Sequence, residues 1–313
     1  MKNKFCLLLL PSFLVSLAGC NNQGSTPTPE PPGPKQDVDV VIISGQSNGV
    51  GCTWCNQISG CPSLGQNKYN EYFVGYSDIQ IAFESWTKDY TGTAAEPYEL
   101  QNHSNGNFIK VTLGQGNGKH SFGPEIGIAE ATHETHGGKL FLIKYACGAS
   151  NLNDDWVSKD TQMYSGMITY IKEQMSNLGE KGYNPTIKAF CWMQGEGDSY
   201  YGYYQRYQAN TRAFIANIRE DLKDYSLSGS EIAFIDAGIN NNGARWQYWK
   251  QVNEAKQKVA AESEYNFYVD TIGAGMHTNQ EPRGNVDADH YDSESEVLLG
   301  HLFAETFEPF LMK

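Results

Sequence analysis

The chain has little positive charge for its size, and this shortage narrows the classes of partner it can bind. Its 313 residues contain 23 Lys and Arg against 36 Asp and Glu, which gives a formal net charge of −13. Nucleic acids and anionic membrane surfaces are bound through basic patches that neutralise phosphate groups. The composition therefore argues against nucleic acid or an anionic membrane face as the main partner, and it leaves neutral ligands open.

Long hydrophobic runs are also missing from almost the whole chain. The mean hydropathy is −0.51, which excludes a polytopic membrane protein. The one long apolar stretch, Phe5–Leu17, follows Lys2 and Lys4 and is too short to span a membrane comfortably. It ends in Leu-Ala-Gly-Cys20, which resembles the lipobox of bacterial lipoproteins; an ordinary secretory signal is the alternative. Residues 1–20 are therefore predicted to be a lipoprotein signal, with cleavage before a lipidated Cys20.

A Pro-rich segment follows the predicted lipid anchor. Five prolines lie within residues 21–36 together with Asn, Gly, Ser and Thr, a composition typical of an extended tether. Residues 37–313 then form the predicted folded domain, a length that suits one large domain. This organisation predicts an exported bacterial lipoprotein of the cell envelope or cell surface, whose only membrane contact is the lipid on Cys20.

Metal-ligand spacing is absent as well. The cluster Cys52, Cys55 and Cys61 has no identifiable fourth ligand for zinc, and the acidic residues near the C-terminus lack the spacing of a calcium loop. We therefore expect no metal and no cofactor. In an exported protein the three clustered cysteines favour a disulfide between two of them, with the pairing left open. Cys147 and Cys191 are predicted to be buried thiols or a second bridge.

Apolar β-type runs alternate with helical patterns after residue 37. This alternation predicts an α/β fold: a three-layer, flavodoxin-like α/β/α sandwich with a mainly parallel five-stranded sheet. The predicted strands are Val38–Ser44, Lys139–Ala146, Ile187–Trp192, Glu231–Asp236 and Asn266–Asp270, and the predicted helices are Pro124–His136, Thr161–Leu178, Tyr203–Asp224, Ala244–Ser263 and Glu294–Phe310. Residues 51–121, polar and rich in Gly and Asn, are predicted to be a loop-rich insertion that builds a substrate pocket or covers a sheet edge.

A serine stands on a glycine-flanked turn directly after the first predicted strand. The segment Gly45–Gly49 reads Gly-Gln-Ser-Asn-Gly, and such a turn holds the hydroxyl of Ser47 out of the packed layer as a nucleophile would require. Two more polar segments, 145–152 and 192–198, also follow predicted strands. Because the carboxyl ends of parallel strands meet at one edge of a sheet, we expect these segments to lie close to Ser47.

The remaining parts of an ester hydrolase can be found in the same set of segments. Such an enzyme needs a base, a group that orients the base, and donors that stabilise an oxyanion. His290 is the predicted base and Asp287 the group that orients it. The predicted oxyanion donors are the N–H groups of Ser47 and Gly148 and the side-chain amide of Gln194.

Three of these motifs, taken in order, carry a family resemblance. Gly-Gln-Ser-Asn at 45–48, Gln-Gly-Glu at 194–196 and Asp-x-x-His at 287–290 resemble the SGNH hydrolase superfamily. Within it they are similar to the sialic-acid-specific acetylesterase and acetylxylan esterase group, carbohydrate esterase family 6. The helix start Phe122–Glu125 is also similar to that group, and the resemblance spans roughly residues 38 to 312.

The resemblance implies a serine esterase that removes O-acetyl groups from carbohydrates of the acetylxylan or sialic-acid type. It implies an acetyl-serine on Ser47, with His290 as general base, Asp287 as its orienting acid and Glu196 as an assisting residue. It gives an O-acetylated glycan as the partner.

Three further predictions concern the residues around this machinery. Gly148 and Gln194 match the family's oxyanion positions, with Gln in place of the Asn found in many members. The turn Cys147–Ser150 departs from the family's Gly-Gly-Thr-like turn. Gln46 and Asn48 are predicted substrate contacts. The carboxylate of Asp198 is predicted to brace loops through backbone N–H groups.

Other readings of the serine motif differ in fold or in function. Gly45–Gly49 also fits the G-x-S-x-G elbow of α/β-hydrolases, but that elbow follows several strands, whereas here it follows the first. Asp287 and His290 also lie three residues apart, so one loop can deliver both. Two alternative functions stay open: a surface lipoprotein that binds glycans without catalysis, and an SGNH lipase or thioesterase.

Overall fold

The computed structural model describes residues 34–227, 231–279, 281 and 287–312. The predicted signal segment and nearly all of the predicted tether lie outside these residues, so both stay predictions. Within the described residues, twelve strands and eight α-helices follow one another along the chain. The strands are β1 Gln36–Gly45, β2 Thr53–Trp54, β3 Tyr76–Lys88, β4 Tyr98–His103, β5 Ile109–Val111, β6 Ser121–Phe122, β7 Leu140–Gly148, β8 Tyr183–Met193, β9 Ala233–Ala237, β10 Asn266–Val269, β11 Thr278–Asn279 and β12 Asp287–Tyr291. The helices are α1 Ser47–Val50, α2 Gly65–Val74, α3 Glu125–His136, α4 Gln162–Glu180, α5 Glu196–Tyr201, α6 Tyr204–Leu222, α7 Trp249–Ala260 and α8 Ser293–Phe307.

A mainly parallel sheet forms the centre of the fold. Its strand order is β10-β9-β8-β1-β7-β3-β4, and β5 also pairs with β3. The pairs from β10 through β3 are parallel, while β4 and β5 run antiparallel to β3. The predicted mainly parallel α/β sheet is confirmed, and all five predicted strands belong to it. The sheet has eight strands rather than five, and the three additional strands come from residues 76–111.

Helices cover the sheet because its central strands are apolar on both faces. Every residue of β7 is buried, and so is β1 from Val38 onwards. Strands of this kind need a helical layer on each side. Helices α3 and α8 pack against each other in one group, while α4, α6 and α7 pack in sequence in another. The three-layer architecture is therefore confirmed.

The segment 51–121 is more regular than predicted. It contains the 13-residue strand β3, the helix α2 and the two antiparallel strands that continue the sheet at its edge. Burial alternates along much of β3, so its sequence mixes polar and apolar residues and lacks the continuous apolar run of a central strand. The segment does cover the sheet edge, which was one of its two predicted roles.

Two helix boundaries differ from the prediction for local reasons. Helix α7 begins at Trp249 rather than Ala244, because residues 238–248 form a loop in which Arg245 pairs with Asp289 on β12. Helix α8 begins at Ser293, where the side chain of Asp292 caps it by accepting the N–H of Ser295 at 2.9 Å. The five described cysteines are all free thiols, so the favoured local disulfide is not formed.

Candidate active site

The site lies at the carboxyl edge of the sheet, where the chain changes direction. Strand β1 sits between β7 and β8, and its last residue, Gly45, pairs with Ala146 on one side and Met193 on the other. The segments that follow these three strands therefore start side by side. This is the switch point at which parallel α/β sheets bind ligands.

Three glycines shape the turn that carries Ser47. Gly45 has φ +139°, and a Cβ there would lie 2.0 Å from the carbonyl oxygen of Met193. The next N–H, from Gln46, donates to that same oxygen at 2.9 Å. A Cβ at Gly51 would lie 2.3 Å from backbone atoms of Gly123, and one at Gly49 would lie 3.0 Å from the Ser44 carbonyl oxygen. Ser47 opens the short helix α1 and is partly exposed, while both of its neighbours are buried. The turn therefore presents the serine hydroxyl alone.

The residue that follows Ser47 ties this turn to the strand that carries His290. The Nδ2 of Asn48 donates to the Asp289 carbonyl at 3.3 Å, and its Oδ1 accepts the N–H of Tyr291 at 3.1 Å. The same Nδ2 donates to Oε1 of Glu196 at 2.8 Å. One buried amide thus joins the turns after β1 and β8 to both residues that flank His290.

His290 and Asp287 form a compact pair on β12. The imidazole Nδ1 lies 2.8 Å from Oδ2 of Asp287, and Oδ1 of the same carboxylate accepts the N–H groups of Asp289 at 3.0 Å and His290 at 3.2 Å. Burial opposes the charge on Asp287, but contact with His290 lowers the pKa of the carboxyl below its usual value. An ionised Asp287 in this position orients the ring so that Nε2 is free for proton transfer.

A thiol also interacts with the imidazole. The side chain of Cys52 lies close enough to His290 to favour the imidazolium. Burial disfavours the imidazolium, but the charges of Cys52 and Asp287 outweigh it and raise the pKa of His290 to about 11. Cys52 is a site residue that sequence reasoning treated only as a metal or disulfide candidate. Its position directly after the serine turn, at the end of α1, is the signal that could have found it.

Glu196 is linked to the His290 strand through Asn48. Its side chain is fully buried at the start of α5, and Oε2 has no hydrogen-bond partner among the described residues. Burial raises the pKa of this carboxyl, and the hydrogen bond from Asn48 lowers it less. The predicted assistance of Glu196 therefore has a physical route, through the amide that holds the His290 strand.

Gln46 and Gln194 face each other in a buried network. Oε1 of Gln46 accepts from Nε2 of Gln194 at 3.1 Å and from the N–H groups of Gly195 and Gly197 at 3.2 and 3.0 Å. Nε2 of Gln194 also donates to Asp198 at 2.7 Å. Both amide hydrogens of Gln194 thus have protein partners. Gln46 and Asn48 are both buried, and their contact with the substrate stays a prediction. Oxyanion donation by Gln194 stays a prediction as well.

The loop after β7 carries the predicted oxyanion residue Gly148. The next residue, Ala149, has φ +59°, a conformation that favours glycine. The loop is held in place by Asp198, which accepts the N–H of Leu152 at 2.7 Å and of Asn153 at 3.2 Å. The predicted bracing role of Asp198 is therefore confirmed. Burial raises the pKa of this carboxyl to about 6.

Two buried lysines support the site, and sequence reasoning missed both. Nζ of Lys144 donates to the carbonyl of Val50, the last residue of α1, at 3.0 Å and pairs with Glu125 at 2.8 Å. Nζ of Lys256 donates to the carbonyl of Gln194 at 2.5 Å and pairs with Asp236. Lys144 thus supports the turn after β1, and Lys256 supports the turn after β8. The sequence signal was a single charge inside an otherwise apolar strand, as at Lys144.

The loop before α7 also binds β12. Arg245 forms a two-pronged ion pair with Asp289 at 2.7 and 2.8 Å, and the Nδ2 of Asn242 donates to the Ala288 carbonyl at 3.2 Å. The guanidinium also lies over the ring of Tyr200 at 5.4 Å from its centroid. The His290 strand is therefore held on both flanks.

Two further features of the described residues concern metal binding and membrane insertion. Among them, no group of three or more His, Cys, Asp or Glu side chains is arranged to hold a metal ion. In the same part of the chain, no helix has the length and apolar character needed to cross a membrane.

Fold and site together define a carboxylic ester hydrolase. A family model described as "Carbohydrate esterase, sialic acid-specific acetylesterase" matches residues 37–308. The chain belongs to this family and is a carbohydrate esterase. The expected resemblance is confirmed, and so is the expected activity class.

Solved structures share the fold at low sequence identity. A protein from Arabidopsis thaliana is 20% identical with a TM-score of 0.58, and the match covers 89% of this chain and 100% of that one. NanS is 12% identical with a TM-score of 0.57, over 88% of this chain and 98% of that one. A carbohydrate acetylesterase from Xanthomonas citri is 15% identical with a TM-score of 0.52, over 87% of this chain and 56% of that one. A comparison with curated protein sequences finds no match.

Proposed function

We propose that this chain removes O-acetyl groups from a glycan of the acetylxylan or sialic-acid type through an acetyl-serine intermediate on Ser47. One observation carries the proposal. Asn48, the residue after Ser47, hydrogen-bonds to the backbone of both residues that flank His290. The partly exposed serine and the Asp287-oriented imidazole are therefore neighbours, although 243 positions separate them in the sequence.

The proposed reaction has two halves that share one set of groups. His290 accepts the Ser47 proton as Oγ attacks the acetyl carbonyl, and the imidazolium then gives that proton to the departing sugar oxygen. A water molecule, deprotonated by His290, next attacks the acetyl-serine and releases acetate. The N–H groups of Ser47 and Gly148 are the proposed oxyanion donors. Gln194 joins them if its amide exchanges one of its two protein partners for the substrate.

A substitution of the serine tests this proposal. We expect Ser47→Ala to lower the rate of acetate release from p-nitrophenyl acetate and from acetylated xylan by about a thousandfold or more. The matched control is Ser59→Ala, an exposed serine in the 3₁₀ helix after β2, which should keep full activity. Both variants should melt at the wild-type temperature. Substantial acetate release by a folded Ser47→Ala variant would refute the mechanism.

We also propose that the protein is anchored in the bacterial envelope by a lipid on Cys20. The support is the Leu-Ala-Gly-Cys20 motif after a short apolar segment and the Pro-rich tether that follows. Cells that express the full chain and are fed a labelled fatty acid should incorporate label into the wild type and not into Cys20→Ser. Equal labelling of the two proteins would contradict the anchor.

A further inference from the structure

An exposed indole stands beside the catalytic edge. Trp54 lies on β2 with 53% of its surface accessible, an unusual exposure for the largest apolar side chain. Its backbone is fixed, because Trp54 pairs with Ser121 and the N–H of Cys55 donates to the His120 carbonyl at 2.9 Å. The ring is therefore a pre-positioned apolar platform.

A small cavity opens against this indole. Its volume is about 190 Å³, and its lining residues are Cys52, Trp54, Asn117, Gly118, His120 and Ser121. Ligand pockets for drug-sized molecules measure roughly 300–1,000 Å³, so this space suits a single small ring.

The cavity lies near the proposed base on one side. Cys52, which lines it, interacts with the imidazole of His290. The next residue, Thr53, donates its hydroxyl to the Tyr291 carbonyl at 2.8 Å, so the strand that carries Trp54 packs directly on the strand that carries His290. The cavity and the proposed base are therefore carried by two strands in direct contact.

The predicted oxyanion residue bounds the other side. Oδ1 of Asn117 accepts the hydroxyl of Thr87 at 3.0 Å, and Thr87 pairs with Gly148 across β3 and β7. The Asn117 N–H also donates to the carbonyl of Gly51, where α1 ends, at 2.8 Å. Asn117 therefore spans the space between the Ser47 helix and the Gly148 loop.

The lining has the chemistry of a sugar site. A pyranose ring offers an apolar C–H face and a rim of hydroxyl groups, and an indole face with nearby amide donors matches both. Nδ2 of Asn117 has no hydrogen-bond partner among the described residues and is available to a hydroxyl. The imidazole of His120, which is exposed, offers a second polar contact.

We propose that this cavity is the subsite for the sugar ring whose acetyl group is removed, with Trp54 stacking on the ring and Asn117 donating to one of its hydroxyls. The inference rests on the proposed function, because it names where the alcohol part of that substrate binds. It goes beyond the catalytic residues by assigning sugar recognition to the segment between the serine turn and α3.

A neighbouring cavity provides an internal control. Trp54 and His120 also line a second space of about 280 Å³, whose far wall includes Phe73, Tyr69 and Leu113. That space does not include Cys52 or Asn117. Phe73 is 65% exposed, so its truncation tests the second cavity with little effect on folding.

The experiment compares substrates with and without a sugar. The substrates are O-acetylated xylo-oligosaccharide, O-acetylated sialic acid, acetylated methyl glucoside and p-nitrophenyl acetate, assayed by acetate release. For the sugar ester that the wild type cleaves fastest, we expect Trp54→Ala to lower the ratio of its kcat/KM to that of p-nitrophenyl acetate about tenfold, mainly through KM. Trp54→Phe should retain most of the ratio, and Phe73→Ala should leave it at the wild-type value.

The outcomes separate this proposal from the function on which it rests. An unchanged ratio in a folded Trp54→Ala variant, or an equal loss in Phe73→Ala, would overturn the subsite and leave the esterase mechanism intact. A wild type that cleaves p-nitrophenyl acetate and none of the three sugar esters would overturn both the subsite and the carbohydrate substrate. If Trp54→Ala does not fold, Trp54→Phe and Asn117→Ala test the subsite instead. The ratio must then fall in Asn117→Ala and stay near the wild-type value in Trp54→Phe.

Discussion

Single residues decide which groups can act at the serine turn. Gly45 cannot be replaced, because any Cβ would overlap the carbonyl of Met193, and this contact brings the turns after β1 and β8 together. The G-x-S pattern was visible in the sequence, as were Asp287 and His290, because their spacing carries the chemistry. The contact of Cys52 with His290 was not visible, since it depends on where α1 ends and how β2 then folds back.

The pH dependence should change when Cys52 is removed. His290 must be neutral to accept a proton. Burial lowers its pKa, but the interactions with Cys52 and Asp287 outweigh burial and raise the pKa to about 11. A raised pKa keeps the base protonated at neutral pH, so activity should increase with pH. In Cys52→Ala the pKa of His290 falls, and the acidic limb of the kcat/KM profile should move to lower pH. Cys61→Ala, a thiol away from the ring, should leave the limb in place, and a limb unmoved in Cys52→Ala would contradict the contact.

Replacement of Ala149 by glycine should stabilise the protein. Its φ of +59° costs an L-residue roughly 1–2 kcal/mol, while glycine loses about 0.5–1 kcal/mol of chain entropy. We expect Ala149→Gly to raise the free energy of unfolding by about 0.5–1 kcal/mol in urea titrations, with activity retained. The same change at Ala209, exposed within α6, should cost about 1 kcal/mol. A destabilised Ala149→Gly would show that the left-handed backbone is not strained.

At the level of elements, the pattern of burial explains what could be predicted. Strands β1, β7 and β8 are apolar on both faces, and each lies in a continuous hydrophobic run that identifies it. Strand β3 alternates, and its neighbours β4 and β5 are short and largely exposed, so composition made them resemble loops. Helix α7 was predicted five residues too early, because the loop that carries Arg245 has a helix-compatible composition but binds Asp289 instead.

Lys144, which donates to the last carbonyl of α1, should contribute strongly to stability. Lys144 and Glu125 are both fully inaccessible, and Lys144 also holds the carbonyls of Val50 and Gln115. Lys144→Met leaves the Glu125 carboxylate buried without its partner. The substitution should therefore lower the free energy of unfolding by about 3–5 kcal/mol. Lys250→Met, an exposed lysine on α7, should change it by less than about 0.5 kcal/mol. A loss below about 1 kcal/mol at Lys144 would mean that the pair does not support the turn.

Across the whole molecule, the site joins distant parts of the chain. Ser47 follows the first strand, Gly148 and Gln194 follow later ones, and His290 comes near the C-terminus. Their meeting at one edge could be predicted, because parallel strands end together and β1 is central. Two features could not be predicted from the sequence, because they depend on side-chain packing between elements. They are the hydrogen bonds that occupy Gln194 and the amide of Asn48 that joins the turn to β12.

Ser47, and not the thiol of Cys52, should be the nucleophile of the reaction. Mass-spectrometric peptide mapping after reaction with an active-site organophosphate tests this, because both side chains lie near His290. We predict one adduct, on Ser47, in proportion to lost activity, and none in Ser47→Ala. An adduct on Cys52, or full inactivation with Ser47 unmodified, would contradict the assignment of Ser47.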